Sequence, residues 1–243
     1  MKKQNIYIGW GLILAGLVAG YLWYSQTPVV SPTADLPTTP DLTDLGSFQV
    51  ADYVNIPLAF TAQAPFGEWE DPRQQDACEE ASIAIVKWWY EGKLQVSKDQ
   101  AKAEILALSA LSEKTLGTFH DTSATDTAKL LTAWVPGVEA EVMELTVERI
   151  EQALYQGKLI IVPTDGRLLG NPYFSGGGPE RHMLVIKGYD REKQQFITHD
   201  VGTRQGADYV YSYQVLMNSL LDYGTGYHEP VVSTKKVGIV VSK

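Results

Sequence analysis

The sequence predicts an α+β domain, and two observations carry that reading. Apolar residues recur at three- and four-residue spacing in the first half of the chain, while short β-branched and aromatic runs bounded by turn residues fill the second. Helices precede the strands instead of alternating strictly with them, which points to an antiparallel sheet with helices gathered against it. At 243 residues, 44% of them hydrophobic, the chain has room for one domain with its own core plus additional segments. A single Cys excludes an internal disulfide framework. Acidic residues number 29 against 20 basic ones, giving a formal net charge of −9. With no basic run beyond Lys2 and Lys3, a nucleic-acid partner is not expected.

Taken in order, residues 1–47 concern location. Residues 1–5, with Lys2 and Lys3, read as a cytoplasmic N-terminus. From Ile6 to Tyr24 there is no charge for 19 residues, and a helix rising roughly 1.5 Å per residue needs about that length to cross roughly 30 Å of hydrocarbon. Residues 6–24 are therefore expected to be a transmembrane signal anchor, with Tyr7 and Trp10 at one end and Tyr21, Trp23 and Tyr24 at the other. The next basic residue is Arg73, so the positive-inside bias sets the remainder outside the cytoplasm. A cleaved signal peptide with Val18-Ala19-Gly20 as its site is the alternative, and it gives the same compartment. Residues 25–47 hold Pro28, Pro32, Pro37 and Pro40 with no basic residue, and read as an extended tether. The folded domain is expected over 48–243. No GxxxxGK[ST] run is present to suggest an attached ATPase.

Within that domain, CEEASIAIVKWWYEG (78–92) sets Ala81, Ile85, Trp88 and Trp89 on one helical face, with Glu79 and Glu80 in the first turn and Gly92 as the stop. Ser97 with Gln100 forms a capping-box pattern opening a helix to about Leu111, and Asp126 to Trp134 reads as a shorter one. Strands are expected at 158–163, 182–189, 194–200, 207–212 and 236–242, with helices at 147–156 and about 213–221 between them.

Three residues in this arrangement carry chemistry. Cys78 sits at a helix N-terminus, where unpaired N–H groups and the dipole favour thiolate and face a developing oxyanion. His182 begins an apolar strand and Asp200 ends the next. Pairing Gly188 with Gln194 across a hairpin sets His182 opposite Asp200, with their side chains on one face, close enough for a carboxylate to orient an imidazole. His199 then points to the other face. For each alone the plainer reading is structural: a small buried hydrophobe, a satisfied sheet histidine, a turn carboxylate. Together they supply nucleophile, base and orienter in the order shared by many cysteine peptidases. As zinc ligands Cys78, His182, His199 and Asp200 fare poorly, since His199 and Asp200 diverge and no HExxH or paired Cys occurs. No metal or other cofactor is expected.

The segment FTAQAPFGEWEDPRQQDACEEASIAIVKWWY, followed about a hundred residues later by HMLVIKGYDREKQQFITHD, resembles family thirty-nine of the cysteine peptidases. These are papain-like enzymes best known for cutting bacteriocin leader peptides after a double glycine, with many stand-alone exported relatives. The resemblance covers about Val54 to Val240 and implies a papain-like fold in which a nucleophile helix lies on an antiparallel sheet. It assigns Cys78 as nucleophile, His182 as base and Asp200 as its partner. The family also has a Gln ahead of the Cys that donates to the oxyanion. Gln63 matches by local context although it lies 15 residues upstream, with Gln75 as the reserve. Glu79 stands where the family commonly has Gly, and an acid there opposes thiolate formation.

The sequence thus leads to an exported, membrane-tethered thiol hydrolase acting on peptide or protein substrates. An amidase cutting cell-wall peptides would use the same residues, and a catalytically weak binding module is the reading from a different class. The loop Gly170 to Pro179, just before His182, reads either as a cover over the cleft or as a flexible connector.

Overall fold

The computed structural model describes residues 50–229 and 235–243. The expected cytoplasmic N-terminus, the signal anchor at 6–24 and the tether at 25–47 lie outside these residues. Among the described residues no helix is long and apolar enough to cross a membrane. The chain runs β1 (Tyr53–Asn55), α1 (Pro72–Gln75), α2 (Cys78–Tyr90), α3 (Lys98–Leu116), α4 (Ala124–Trp134), β2 (Glu139–Glu144), α5 (Val147–Tyr155), β3 (Leu159–Thr164), α6 (Gly166–Leu169), a 3-10 turn at Ser175–Gly177, β4 (His182–Asp190), β5 (Gln195–His199), β6 (Tyr209–Ser212), α7 (Tyr213–Ser219) and β7 (Val237–Ser242).

Local signals explain the helix ends. Ser97 Oγ accepts from the Gln100 N–H at 3.2 Å while Gln100 Oε1 accepts from the Ser97 N–H at 3.1 Å, closing the expected capping box on α3. That helix continues to Leu116 instead of stopping near Leu111, because no breaker occurs before Gly117, which caps it in the left-handed region at φ 78.

The strands form one antiparallel sheet in the order β2-β7-β3-β4-β5-β6, with β1 added alongside β4. Its inner strands are covered on both faces, which is why β3 and β4 read as nearly continuous apolar runs. Leu159, Ile161, Met183, Val185, Ile239 and Val241 share a core with α2, α3 and α4. The alternate residues Ile160, Val162, Leu184, Ile186 and Val240 share a second core with α5 and α7. The mixed helix and antiparallel-sheet architecture is the expected α+β class, with the Cys78 helix packed on the sheet.

Two expectations need correction. Strand β2, EAEVME, was not among the predicted strands, although its Glu residues alternate with partly buried Ala140 and Val142 as an edge strand should. The pairing of β4 with β5 is also shifted. Val185 lies opposite His199 and Ile186 opposite Thr198, and after an irregularity at Lys187 Gly188 meets Ile197, not Gln194. Gln194 instead closes the turn with a positive φ of 52, so β5 begins one residue later than the apolar pattern suggests.

Candidate active site

Cys78 is the first residue of α2, reached through the short helix α1 and the Asp76-Ala77 link. His182 is the first residue of β4, and Asp200 follows the last residue of β5. Cys78 and His182 both line one cleft of about 810 Å³, within the usual range for small-ligand and peptide sites.

The His182–Asp200 pair is built in depth. His182 Nε2 lies 2.8 Å from Asp200 Oδ1, and the two side chains are 1% and 0% exposed. Gly202 N–H also donates to Oδ1 at 3.1 Å, while Asn171 Nδ2 at 3.0 Å and Tyr211 OH at 2.5 Å donate to Oδ2. Burial works against charge on Asp200, but His182 and these donors outweigh it and hold the carboxyl below its usual range. The Phe174 ring meets the His182 ring edge-on, with centroids 5.3 Å apart. A Cβ on residue 202 would approach His182 Cε1 to 2.9 Å, so only glycine leaves the ring its room. Asn171 and Tyr211 were missed by sequence reasoning. Asn171 lay inside a segment read only as a loop, and Tyr211 inside a strand whose register was not assigned.

His199 is buried on the opposite side of its strand, as expected. Its Nδ1 accepts from the Asp208 N–H at 3.1 Å and its ring packs against Phe60. Burial and then the charge of Lys187 lower its pKa to about 4. Among the described residues no group of three or more His, Cys, Asp or Glu side chains has the arrangement to hold a metal ion.

The environment of Cys78 differs from what its helix position suggests. The residue is 4% exposed, and its Sγ–H donates to Glu79 Oε2 at 3.1 Å. Burial, followed by the charge and hydrogen bond of Glu79, pushes the thiol well above its ordinary range, which corrects the expectation that the helix terminus would lower it. The Met183 backbone, next to His182, works the other way. Glu79 is fully buried, and its other oxygen accepts from the Thr122 N–H at 3.1 Å and from Tyr223 OH at 2.8 Å.

Gln63 and Gln75 both reach the cleft, but in different states. Gln63 Nε2 donates to the carbonyl oxygens of Gln74 at 3.2 Å and Gln75 at 2.6 Å. Both its amide hydrogens are therefore engaged on the turn before Cys78. Gln75, the reserve candidate, sits on that turn with its side chain exposed to the cleft.

The cleft also carries charged residues that sequence reasoning did not single out. His120 Nδ1 meets Asp76 Oδ2 at 2.5 Å, and Arg181 Nε lies 3.8 Å from Asp121 Oδ2. Trp69, Tyr173 and Tyr227 are exposed along the same cleft.

A family model described as the Peptidase_C39 like family matches residues 56–228. The comparison with curated proteins finds no match. Among solved structures, the chain is similar to one described as a C39-like peptidase from Bacillus anthracis, with 14% identity and a TM-score of 0.47 over 79% of this chain and 98% of that one. It is also similar to xylellain, a cysteine protease from Xylella fastidiosa, with 13% identity and a TM-score of 0.46 over 89% and 94% of the two chains.

Proposed function

The chain belongs to the Peptidase_C39 like family and is a cysteine-type peptidase; from that premise we propose that it cleaves peptide bonds with Cys78 as nucleophile, His182 as general base and acid, and Asp200 as the group that orients His182. Cys78 attacks the carbonyl carbon, and the C=O electron pair moves to oxygen. His182 takes the thiol proton and returns it to the leaving amine, and water then repeats the sequence on the acyl-enzyme. The α2 N-terminal N–H groups and the exposed amide of Gln75 would receive the oxyanion. We propose Gln75 for that role because the donors of Gln63 are already engaged.

The observation that most supports this reading is the buried 2.8 Å His182–Asp200 pair opening on the same cleft as Cys78. With Nε2 turned to Asp200, Nδ1 is the nitrogen left for the thiol. No hydrogen bond joins Cys78 to the ring, and contacts of this kind commonly tighten only in the substrate complex. We further propose that residues 6–24 anchor the chain in the membrane and that the domain works outside the cytoplasm, on the strength of the uncharged stretch and the lysines before it.

The test is hydrolysis of a mixed peptide library by the full chain. Cys78→Ala is expected to abolish cleavage and His182→Ala to lower kcat by about 10²–10⁴-fold. Cleavage unchanged in Cys78→Ala would remove the assignment.

A further inference from the structure

The one contact that sequence and mechanism leave unexplained is the carboxylate bound to the nucleophile itself. Glu79 Oε2 receives the Cys78 thiol proton at 3.1 Å, and Glu79 Oε1 receives Thr122 N–H and Tyr223 O–H. Three donors converge on one buried carboxylate, so in this state Glu79 is the acceptor and the sulfur is S–H. The sulfur is thereby turned toward Glu79 and is not engaged with His182. The charged and titratable groups around Glu79 are mostly acids: Glu80 on its own helix, Asp76 before it, Asp121 in the stretch leading to α4, and Tyr223 after α7. The basic groups beside these acids are already paired: His120 meets Asp76, Arg181 lies 3.8 Å from Asp121 and also reaches His228 and the Glu229 carbonyl, and His182 holds Asp200.

We propose that Glu79 is a catalytic gate on Cys78: as a carboxylate it locks the sulfur as a thiol donor, and as a carboxylic acid it releases the sulfur toward His182 and donates a hydrogen bond to the thiolate. The proposal rests on Cys78 being the nucleophile. Its steps balance. A solvent proton adds to Oε2, and the Sγ–H···Oε2 contact becomes Oε2–H···Sγ. The sulfur proton passes to His182, leaving a thiolate beside an imidazolium, and His182 later gives that proton to the amine as the C–N bond breaks and its electron pair stays on nitrogen. Burial and then the charge of Asp121 push the Glu79 carboxyl up to about 7, so the gate operates near neutrality. The locked form dominates above that value and the released form below it. An ordinary thiol does the reverse, gaining reactivity as pH rises.

The experiment follows the iodoacetamide labelling rate of Cys78, the only Cys in the chain, from about pH 5 to about pH 9, in the full chain and two variants. Glu79→Gln keeps an oxygen for Thr122 and Tyr223 and presents an N–H to sulfur. Tyr223→Phe removes a donor that favours ionised Glu79. Wild-type labelling is expected to fall as pH rises through about 7. In Glu79→Gln it persists, exceeding wild type by about 10-fold or more at about pH 8 and differing little at about pH 5. In Tyr223→Phe the fall moves to higher pH, which carries the test if Glu79→Gln does not fold. Wild-type labelling that rises steadily with pH and superimposes on both variants overturns the gate. Peptide hydrolysis over the same range separates the two claims: no cleavage by any of the proteins, with the labelling fall and its shifts intact, removes the peptidase reading and leaves the gate standing.

Discussion

Gln63 and Gln75 illustrate how roles divide at the scale of single residues. Both donors of Gln63 are taken up by backbone carbonyls, while the exposed Gln75 amide remains open to the cleft, so we assign Gln63 to the turn and Gln75 to the oxyanion as a proposal. Gln75→Ala is therefore expected to lower kcat by about 10²-fold with unchanged folding, as for loss of one oxyanion donor. Gln63→Ala strips partners from two carbonyls, one of them on buried Gln74, and is expected to lose about 1–3 kcal/mol in urea unfolding. Circular dichroism melts and steady-state kinetics on both variants distinguish the roles, and the reverse pattern would restore Gln63 as the donor. The contact of His182 with Asp200 and the seat of Cys78 at a helix start were legible because each residue stands at an element end, where periodicity changes. The distribution of donors between Gln63 and Gln75 was not legible, because it depends on which carbonyls the turn at 72–76 exposes. Asn171 and Tyr211 escaped for the same reason: they reach Asp200 from elements whose relative placement no local pattern encodes.

At the His182 end of β4 and β5 the expected register was off by two residues, and beyond Lys187 by three; the even shift at the His182 end is why the His182–Asp200 pair was still found. Side chains alternate with period two, so a two-residue shift keeps His182 and Asp200 on one face. What set the true register was the irregularity at Lys187 and the turn residue Gln194, neither visible in an apolar pattern. Beyond the strand, the loop carrying Asp200 doubles back on itself. Asp200 N–H donates to Gly206 O at 2.9 Å, and a Cβ at 206 would fall 1.7 Å from the Asp200 carbonyl oxygen. Gly206→Ala is expected to destabilise the domain by about 1–3 kcal/mol and to lower kcat by displacing the Asp200 backbone. Urea midpoints and turnover measured together would check this, and a neutral result in both would mean that the loop is freer than its contacts imply.

For the whole molecule, buried acids set the pH dependence of stability. Burial raises Glu79 to about 7 and raises Glu80, Asp121 and Asp222 above their ordinary values. Such groups hold protons in the folded state that the unfolded chain releases near pH 4. Their stabilising effect is thus complete below the unfolded values and is lost as pH rises through the folded ones. Asp200 is shifted the opposite way and matters only at pH below about 4. From Glu79 alone the loss between about pH 5 and about pH 8 is on the order of 3 kcal/mol. Calorimetry is accordingly expected to give a Tm higher by about 5 °C or more at the acid end, and a Tm that rises toward pH 8 would refute it. The margins of the sheet carry a different consequence. Strand β2 ends it on one side with Glu139, Glu141 and Glu144 facing water, and only four residues of β6 end it on the other. Two copies meeting along β2 would bring rows of carboxylates together, and the opposite margin is too short to template a long ladder. Crowding many such molecules into a small volume should therefore not seed fibrils.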